Sequence, residues 1–136
     1  MATIRNEFNV LASAEVVWAA LRDFGAVPQR LATGFVTECQ LEEEGTVRTL
    51  TFFYGLHARE RLVTTDDIGL RLVYKAEGGP ATHHNASAQV VAVGENECRF
   101  IWITDLLPDT LAPTIEAMMA EGAKVMQVTL ERNAMG

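Results

Sequence analysis

The N-terminal part of the chain changes from a period-two pattern to a helical one. Residues 2–10 alternate between apolar and polar side chains, which predicts a β-strand. Ser13 can then cap a helix, because its hydroxyl accepts a first-turn backbone N–H and apolar residues recur at helical spacing as far as Phe24. A second short helix is predicted over 27–32, with Pro28 in its first turn.

The middle of the chain keeps a period of two from residue 35 to residue 107. This alternation predicts six further strands, separated by short turns rich in Gly, Asp and Asn. Consecutive strands joined by short turns form an antiparallel meander. The predicted strands span residues 35–43, 46–54, 57–66, 70–77, 84–93 and 98–107.

The segment 110–132 predicts one long helix, because its apolar residues fall at steps of three and four. Pro113 lies in the first turn, where its missing N–H costs little. The apolar stripe must be buried, and the only large partner is the concave face of the sheet. We therefore predict an α+β fold in which a curved antiparallel sheet of about seven strands wraps around the long C-terminal helix, with two short helices after the first strand.

Composition and charge exclude several classes of protein. The chain has 136 residues, of which 49% are hydrophobic and 21% are charged, so we expect one ordered domain over 1–136. Acidic residues outnumber basic ones by 18 to 11, which disfavours binding to nucleic acid or to anionic membranes. No apolar stretch is long enough to insert in a membrane, and no secretory signal is visible. Cys39 and Cys98 are too few for a disulfide framework. We expect a cytoplasmic protein.

Several short motifs resemble the START-like, or SRPBCC, helix-grip superfamily, which includes the polyketide cyclases. Residues 12–18, ASAEVVW, are similar to its A-S-x-E-x-V-W motif. The stretches 45–48 and 60–62, and Trp102 six residues before Pro108, follow in the same order. The resemblance covers nearly the whole chain. It implies a helix-grip fold with a ligand cavity, and it does not specify one function.

The middle of the chain is also locally similar to the plant abscisic-acid receptors. Residues 55–58 resemble their gate loop, 78–79 resemble the start of their latch loop, and Glu60 corresponds to a glutamate that holds water around the ligand. Thr37 stands where those receptors have a lysine that pairs with the hormone carboxylate, and residues 81–83 depart from the latch motif. The resemblance therefore implies a cavity with two flanking loops but not the hormone.

Strand parity predicts which side chains face the helix. Aromatic residues face inward on some strands and small residues on another, opposite the glycine of the long helix, so that space is left for an apolar pocket. Met118, Met119 and Met126 suit an adaptable pocket wall, although ordinary core packing is the preferred explanation for them. The predicted ligand-binding residues are Leu50, Phe52, Tyr54, Leu56, His57, Glu60, Tyr74, Ala76, His83, Ala86, Ala88, Phe100, Trp102, Ile115, Met118, Met119 and Gly122.

Glu60 carries the most information among the inward polar residues. A buried carboxylate is costly unless it is hydrogen-bonded or paired. One interpretation is an acceptor that orients a ligand, or a general acid with a raised pKa. The other is a buried ion pair with Arg48, which has inward parity on the adjacent strand. The sequence leaves both interpretations open.

The histidines and tyrosines offer further polar groups. His57 and His83 are predicted on loops at the pocket mouth, where a neutral imidazole can bind a ligand oxygen or simply be exposed to solvent. The histidine spacing matches no metal-binding pattern, and no dinucleotide or phosphate motif is present, so we expect no metal and no cofactor. Tyr54 and Tyr74 can each place a hydroxyl in the cavity or on a backbone carbonyl.

Three classes of function fit these features. The preferred one is binding of a small hydrophobic or amphipathic molecule, such as a polyketide, a steroid, a lipid or an aromatic metabolite. The second is a cofactor-free enzyme of the polyketide cyclase, aromatase or dehydratase type, with Glu60, His57 and Tyr74 as catalytic candidates. The third is a protein-interaction module, expected only if the cavity is filled. Outward apolar residues such as Val63 and Ile103 also predict a weak homodimer through the convex face.

Overall fold

The computed structural model describes residues 1–136, and its main element is an open seven-stranded antiparallel sheet. The strands lie in the order β1-β7-β6-β5-β4-β3-β2, so that the first strand joins the meander beside the last one. The strands are β1 (Ala2–Val10), β2 (Val36–Glu42), β3 (Val47–Phe52), β4 (His57–Asp66), β5 (Arg71–Glu77), β6 (His83–Gly94) and β7 (Glu97–Leu107). The sheet confirms the predicted antiparallel meander.

Three helices, α1 (Ala14–Arg22), α2 (Val27–Leu31) and α3 (Ala112–Ala134), and two single 3₁₀ turns, Glu43–Gly45 and Asp109–Leu111, accompany the sheet. Ser13 caps α1 as predicted, because its Oγ accepts the Val16 N–H at 3.2 Å. The short helix α2 is a single wide turn in which the Ala32 N–H donates to the Val27 carbonyl. The long helix starts two residues later than predicted, after a tight turn over 109–111. No helix combines the length and the hydropathy that crossing a bilayer requires.

The core lies where α1 and α3 pack on the sheet. Val17, Trp18 and Leu21 of α1 are buried against the inward residues of β6 and β7. Phe8 stacks on Phe100 across the sheet, with ring centroids 4.9 Å apart. Burial of these apolar faces drives the packing of the helices on the sheet. The alternating and helical patterns of the sequence place apolar and polar residues on opposite faces of each element.

Hydrogen bonds fix the long helix on one side of the sheet. Gln127 Nε2 donates to the Asn9 carbonyl at 2.6 Å, and Glu131 Oε2 accepts the Leu11 N–H at 2.9 Å. On the other side of α3, Thr129 Oγ1 accepts the Thr33 N–H at 3.2 Å. These anchors tie α3 to the end of β1 and to the segment after α2. None of these anchors reaches β3, β4 or β5. The concave face of these three strands is therefore not filled by the side chains of α3 alone.

The turn between β4 and β5 is tied to α1 through Asp67. Its Oδ1 accepts the Trp18 indole N–H at 2.9 Å and the Arg22 Nε–H at 2.8 Å. The Trp18 hydrogen bond and the Arg22 guanidinium together hold the pKa of Asp67 below its ordinary value of 3.8. Asp67 thus provides an acceptor for the part-buried indole N–H of Trp18.

We predict that Asp67→Ala lowers the melting temperature, because the Trp18 N–H loses its acceptor. Glu95→Ala, which removes an exposed carboxylate in the turn after β6, serves as the control and should change the melting temperature little. Since folding lowers the pKa of Asp67, its stabilisation is complete above the ordinary value of 3.8 and is lost as the pH falls through the folded value. Thermal unfolding of the wild-type and Asp67→Ala proteins at pH 7 and below pH 3.8 checks this. A difference in melting temperature that is as large at low pH as at pH 7 would contradict it.

Candidate functional site

A cavity of about 280 Å³ lies between α3 and the concave face of the sheet. Thirty-two residues line it, of which 21 are hydrophobic. Its walls come from β3 to β7 and from α3, and its mouth lies between the turn after β3 and the loop over 77–81. An apolar cavity with a few polar groups is the usual form of a small-molecule site, and the volume of this one lies just below the usual range of about 300–1,000 Å³.

Most of the residues predicted from strand parity line this cavity. They are Leu50, Phe52, Leu56, His57, Glu60, Tyr74, Ala76, Ala88, Phe100, Trp102, Ile115, Met118, Met119 and Gly122. They meet there because alternate residues of adjacent strands share one face of the sheet, and because the stripe of α3 faces them.

Three of the predicted residues do not line the cavity. Strand β3 ends at Phe52, so Tyr54 lies in the turn, half exposed, with its hydroxyl 3.5 Å from the Met118 sulfur. His83 is the first residue of β6 and bonds to the Asn85 side chain on the outer face. Ala86 is fully buried and pairs across the sheet with Tyr74 and Thr104.

Sequence reasoning overlooked polar and apolar residues of the lining. His84 and Thr104 both face the cavity, and strand parity contained the signal, since His84 alternates with Ala86 and Thr104 with Trp102. The segment from α1 to the start of β2 adds an apolar wall that strand parity does not indicate, because parity describes only the faces of the strands. The overlooked apolar residues are Leu21, Val27, Leu31, Ala32, Phe35, Val36, Ala58 and Leu111, whereas Met126, a candidate for the pocket wall, does line the cavity.

Gly122 brings the helix close to two aromatic rings. A methyl group at this position would lie 3.4 Å from the Phe35 ring and 3.5 Å from the Trp102 ring, which is ordinary contact distance. The space next to Gly122 is therefore bounded by rings rather than wide open. A larger side chain must enter the cavity or displace one of the rings.

Arg48 and Glu60 form a buried ion pair on the cavity wall, directly opposite each other on β3 and β4. Arg48 Nε donates to Glu60 Oε1 at 2.8 Å, and Arg48 Nη2 lies 2.8 Å from the same oxygen. Arg48 Nη1 donates to the Phe24 carbonyl at 3.3 Å. The guanidinium carbon lies 4.0 Å from the Phe24 ring centroid and 5.1 Å from that of Tyr74. Every nitrogen of the Arg48 side chain therefore has a protein partner.

Glu60 retains one unpaired oxygen. Both contacts with Arg48 use Oε1, and Oε2 accepts no hydrogen bond from the protein. Every fully buried side-chain nitrogen and oxygen in the molecule has a partner, so Oε2 keeps some accessible surface, and Glu60 is a residue of the cavity lining. The geometry thus combines the two interpretations of Glu60, an ion pair with Arg48 and an acceptor facing the cavity.

Tyr74 and Trp102 form a second polar contact in the wall. The Trp102 indole N–H donates to the Tyr74 hydroxyl oxygen at 3.1 Å. Burial raises the pKa of Tyr74 well above its ordinary value, with a further contribution from the negative charge of Glu60. The hydroxyl therefore stays protonated, and its own hydrogen is available to an acceptor in the cavity.

Two histidines line different parts of the cavity. His57 lies at the mouth, with its Nδ1 3.0 Å from Thr51 Oγ1. His84 lies on β6, where burial lowers its pKa and the nearby Glu60 charge acts in the opposite direction. The structure holds no cluster of three or more His, Cys, Asp or Glu side chains that could bind a metal ion. Taken together, the lining supplies apolar contact, an anionic acceptor in Glu60 and a hydroxyl donor in Tyr74.

Comparison with known proteins finds one matching family and several structures of similar fold. A family model described as "Polyketide cyclase / dehydrase and lipid transport" matches residues 1–132. The protein XoxI from Bacillus cereus superposes with a TM-score of 0.85 at 22% identity, over 98% of this chain and 99% of that one. An uncharacterised protein from Bacillus thuringiensis gives a TM-score of 0.84 at 23% identity, over 95% and 98%. No protein of curated function matches the sequence.

A third similar structure is the Zhui aromatase/cyclase from Streptomyces sp. R1128. It superposes with a TM-score of 0.75 at 15% identity, over 98% of this chain and 93% of that one. At such low identities the similarity establishes the fold, which is the predicted helix-grip fold of START-like proteins. The comparisons give no support to the local similarity with abscisic-acid receptors, which stays a resemblance of short segments.

We predict that Glu60→Gln lowers the free energy of unfolding by about 3 kcal/mol, because it leaves Arg48 buried without a counter-charge. Glu7→Gln removes a carboxylate from the exposed pair with Arg5 and should have little effect. The double variant Arg48→Met/Glu60→Leu should recover most of the loss, since apolar residues of similar volume can replace a buried pair. Urea unfolding measures all three, and a Glu60→Gln protein as stable as the wild type would contradict the ion pair's role.

Proposed function

The chain belongs to the polyketide cyclase/dehydrase and lipid transport family, and from this premise we propose that it binds a small hydrophobic or amphipathic molecule in the cavity between the sheet and α3. The observation that carries the proposal is the cavity itself. Twenty-one of its 32 lining residues are hydrophobic, and its polar groups converge from β3 to β7. Burial of apolar ligand surface supplies the affinity, and the polar groups orient the ligand.

The wall formed by α3 suits ligands of varied shape. Met118, Met119 and Met126 all line the cavity from this helix. Methionine side chains are unbranched and polarizable, so they repack around different apolar surfaces at low cost. A carrier or sensor that accepts several related molecules would benefit from such a wall.

The mouth is bordered by two turns that rely on glycine. Gly55, Gly78 and Gly79 have φ values of 91°, 77° and 74°, in the left-handed region that favours glycine. Leu56 lies half exposed between these turns and lines the cavity. We propose that ligand enters here, past an apolar side chain that is already in contact with solvent.

The second candidate function is a cofactor-free cyclase, aromatase or dehydratase. The observation that favours it is the unpaired Glu60 oxygen in the same cavity as the protonated Tyr74 hydroxyl. Glu60 would remove a proton next to a ligand carbonyl while Tyr74 donates a hydrogen bond to the carbonyl oxygen. His57 is less suited to this role, because its ring nitrogen is engaged with Thr51 at the mouth. Formation of a cyclised product would separate an enzyme from a carrier.

The homodimer expected from the outward apolar residues stays a prediction. Val63 is exposed on the convex face, whereas Ile101 and Ile103 are only half-buried there, beside the ion pairs that Glu7 makes with Arg5 and Arg99. This mixture of apolar and charged side chains supports at most a weak association.

We predict that the neutral fluorescent probe N-phenyl-1-naphthylamine binds the wild-type protein with a Kd on the order of tens of micromolar. Gly122→Leu should weaken this binding about ten-fold or more, because the added carbons enter the cavity or displace the Phe35 and Trp102 rings. Ala120→Leu places the same side chain on the exposed face of α3 and should leave binding unchanged.

Fluorescence titration of the three proteins measures this effect, and thermal unfolding shows that each is folded. Failure of the wild-type protein to bind the probe would contradict a ligand cavity. Equal affinity in folded wild-type and Gly122→Leu proteins would place the probe outside the cavity.

A further inference from the structure

We propose that the ligand is an uncharged molecule with a hydroxyl group, phenolic or alcoholic, on an otherwise apolar body, and that the cavity discriminates against carboxylates such as fatty acids. This inference rests on the proposed function of the cavity and specifies the chemistry of its ligand. It follows from which polar atoms in the wall are already engaged and which remain available.

The positive charges of the wall are engaged. The nitrogens of Arg48 are used by Glu60 Oε1 and by the Phe24 carbonyl. Arg59, at the mouth, pairs with the carboxylates of Glu42, Glu43 and Glu77. A carboxylate ligand would therefore lose its hydration without gaining a free cation, and desolvation of an unpaired charge is strongly unfavourable.

The negative charge of the wall is partly free. Glu60 is about nine-tenths buried, and its Oε2 has accessible surface and no protein partner. A carboxylate oxygen accepts hydrogen bonds and repels other anions. This atom favours a ligand that donates a hydrogen bond, and it disfavours a second anion in the same small volume.

Tyr74 adds the complementary group. Its hydroxyl oxygen already accepts from Trp102, so its hydrogen is free to donate. Tyr74 and Glu60 line the same cavity, and the Glu60 charge contributes to the raised pKa of Tyr74. One donor and one acceptor match a hydroxyl group, which both donates and accepts. A ketone or an ether satisfies the Tyr74 hydrogen but leaves Glu60 Oε2 without a partner.

The buried histidine of the wall, His84, does not supply a substitute cation near neutral pH. Burial lowers the pKa of His84, so this imidazole is uncharged in the cavity at pH 7. His57 lies at the mouth with its Nδ1 engaged by Thr51. The charged groups that line the cavity are thus already paired: Glu77 with Arg59, and Glu60 with Arg48, which cannot turn toward the ligand without breaking its own pair.

Naphthalene and three of its derivatives test the proposal because they share one apolar body. They are 2-naphthol, 2-methoxynaphthalene, naphthalene and naphthalene-2-carboxylate, each titrated at pH 7 in competition with N-phenyl-1-naphthylamine. We expect 2-naphthol to bind about ten-fold or more tightly than its methyl ether, because a hydrogen bond to a charged acceptor is lost in the ether. The carboxylate should bind more weakly than naphthalene itself.

The outcomes separate this inference from the proposed function. Equal affinities for 2-naphthol and 2-methoxynaphthalene, or tighter binding of the carboxylate, would overturn the hydroxyl preference while leaving a ligand cavity intact. Failure of all four compounds to displace the probe would contradict the proposed function as well.

A variant locates the preference within the cavity. Tyr74→Phe should reduce the ratio of 2-naphthol to 2-methoxynaphthalene affinity about three-fold or more while naphthalene binds as before. If Tyr74→Phe does not fold, the wild-type ligand series still decides the proposal, since it needs no substitution. An unchanged ratio in a folded Tyr74→Phe protein would overturn the role given to the Tyr74 hydroxyl.

Discussion

The buried ion pair between Arg48 and Glu60 is the constraint on which the rest of the site depends. Two charges inside a protein are tolerated only when their geometry is good and their remaining polar atoms are satisfied. Here the pair joins β3 to β4, reaches the chain after α1 through the Phe24 carbonyl, and places the guanidinium near the Phe24 and Tyr74 rings. Several elements therefore meet at one point, and the single carboxylate oxygen left over gives the cavity its polarity.

The cavity exists because the long helix is held at one side of the sheet. Hydrogen bonds anchor α3 to the end of β1 and to the segment after α2, while the concave faces of β3 to β5 have no helix anchored directly on them. Trp102 and Phe35 limit the space beside Gly122, and the methionines of α3 limit it further along the helix. The resulting volume is small, so a single well-placed hydrogen bond contributes a large part of ligand selectivity.

Much of this arrangement could be predicted from the sequence, and the failures have physical causes. Period-two alternation located the strands and most of the cavity lining, because parity decides which face a side chain occupies. The sequence favours His83 over His84 because it predicts a strand that starts at residue 84, whereas β6 starts at His83; it favours Tyr54 because it predicts a strand as far as residue 54, whereas β3 ends at Phe52. Parity also indicates Arg48 as a partner for Glu60, but it cannot decide between an ion pair and a ligand acceptor, because it gives the side of the sheet and not the contacts of each oxygen; the structure shows the pair on Oε1.

The most direct test of this account is an experimental structure of the protein with 2-naphthol bound. The account predicts the ligand hydroxyl within hydrogen-bond distance of Glu60 Oε2, about 2.5–3.0 Å, while Arg48 remains on Oε1. The naphthalene rings should lie against Trp102 and the methionines of α3. A hydroxyl that points to the mouth, or an Arg48 that has left Glu60 to contact the ligand, would contradict the central claim that the ion pair fixes the polarity of the cavity.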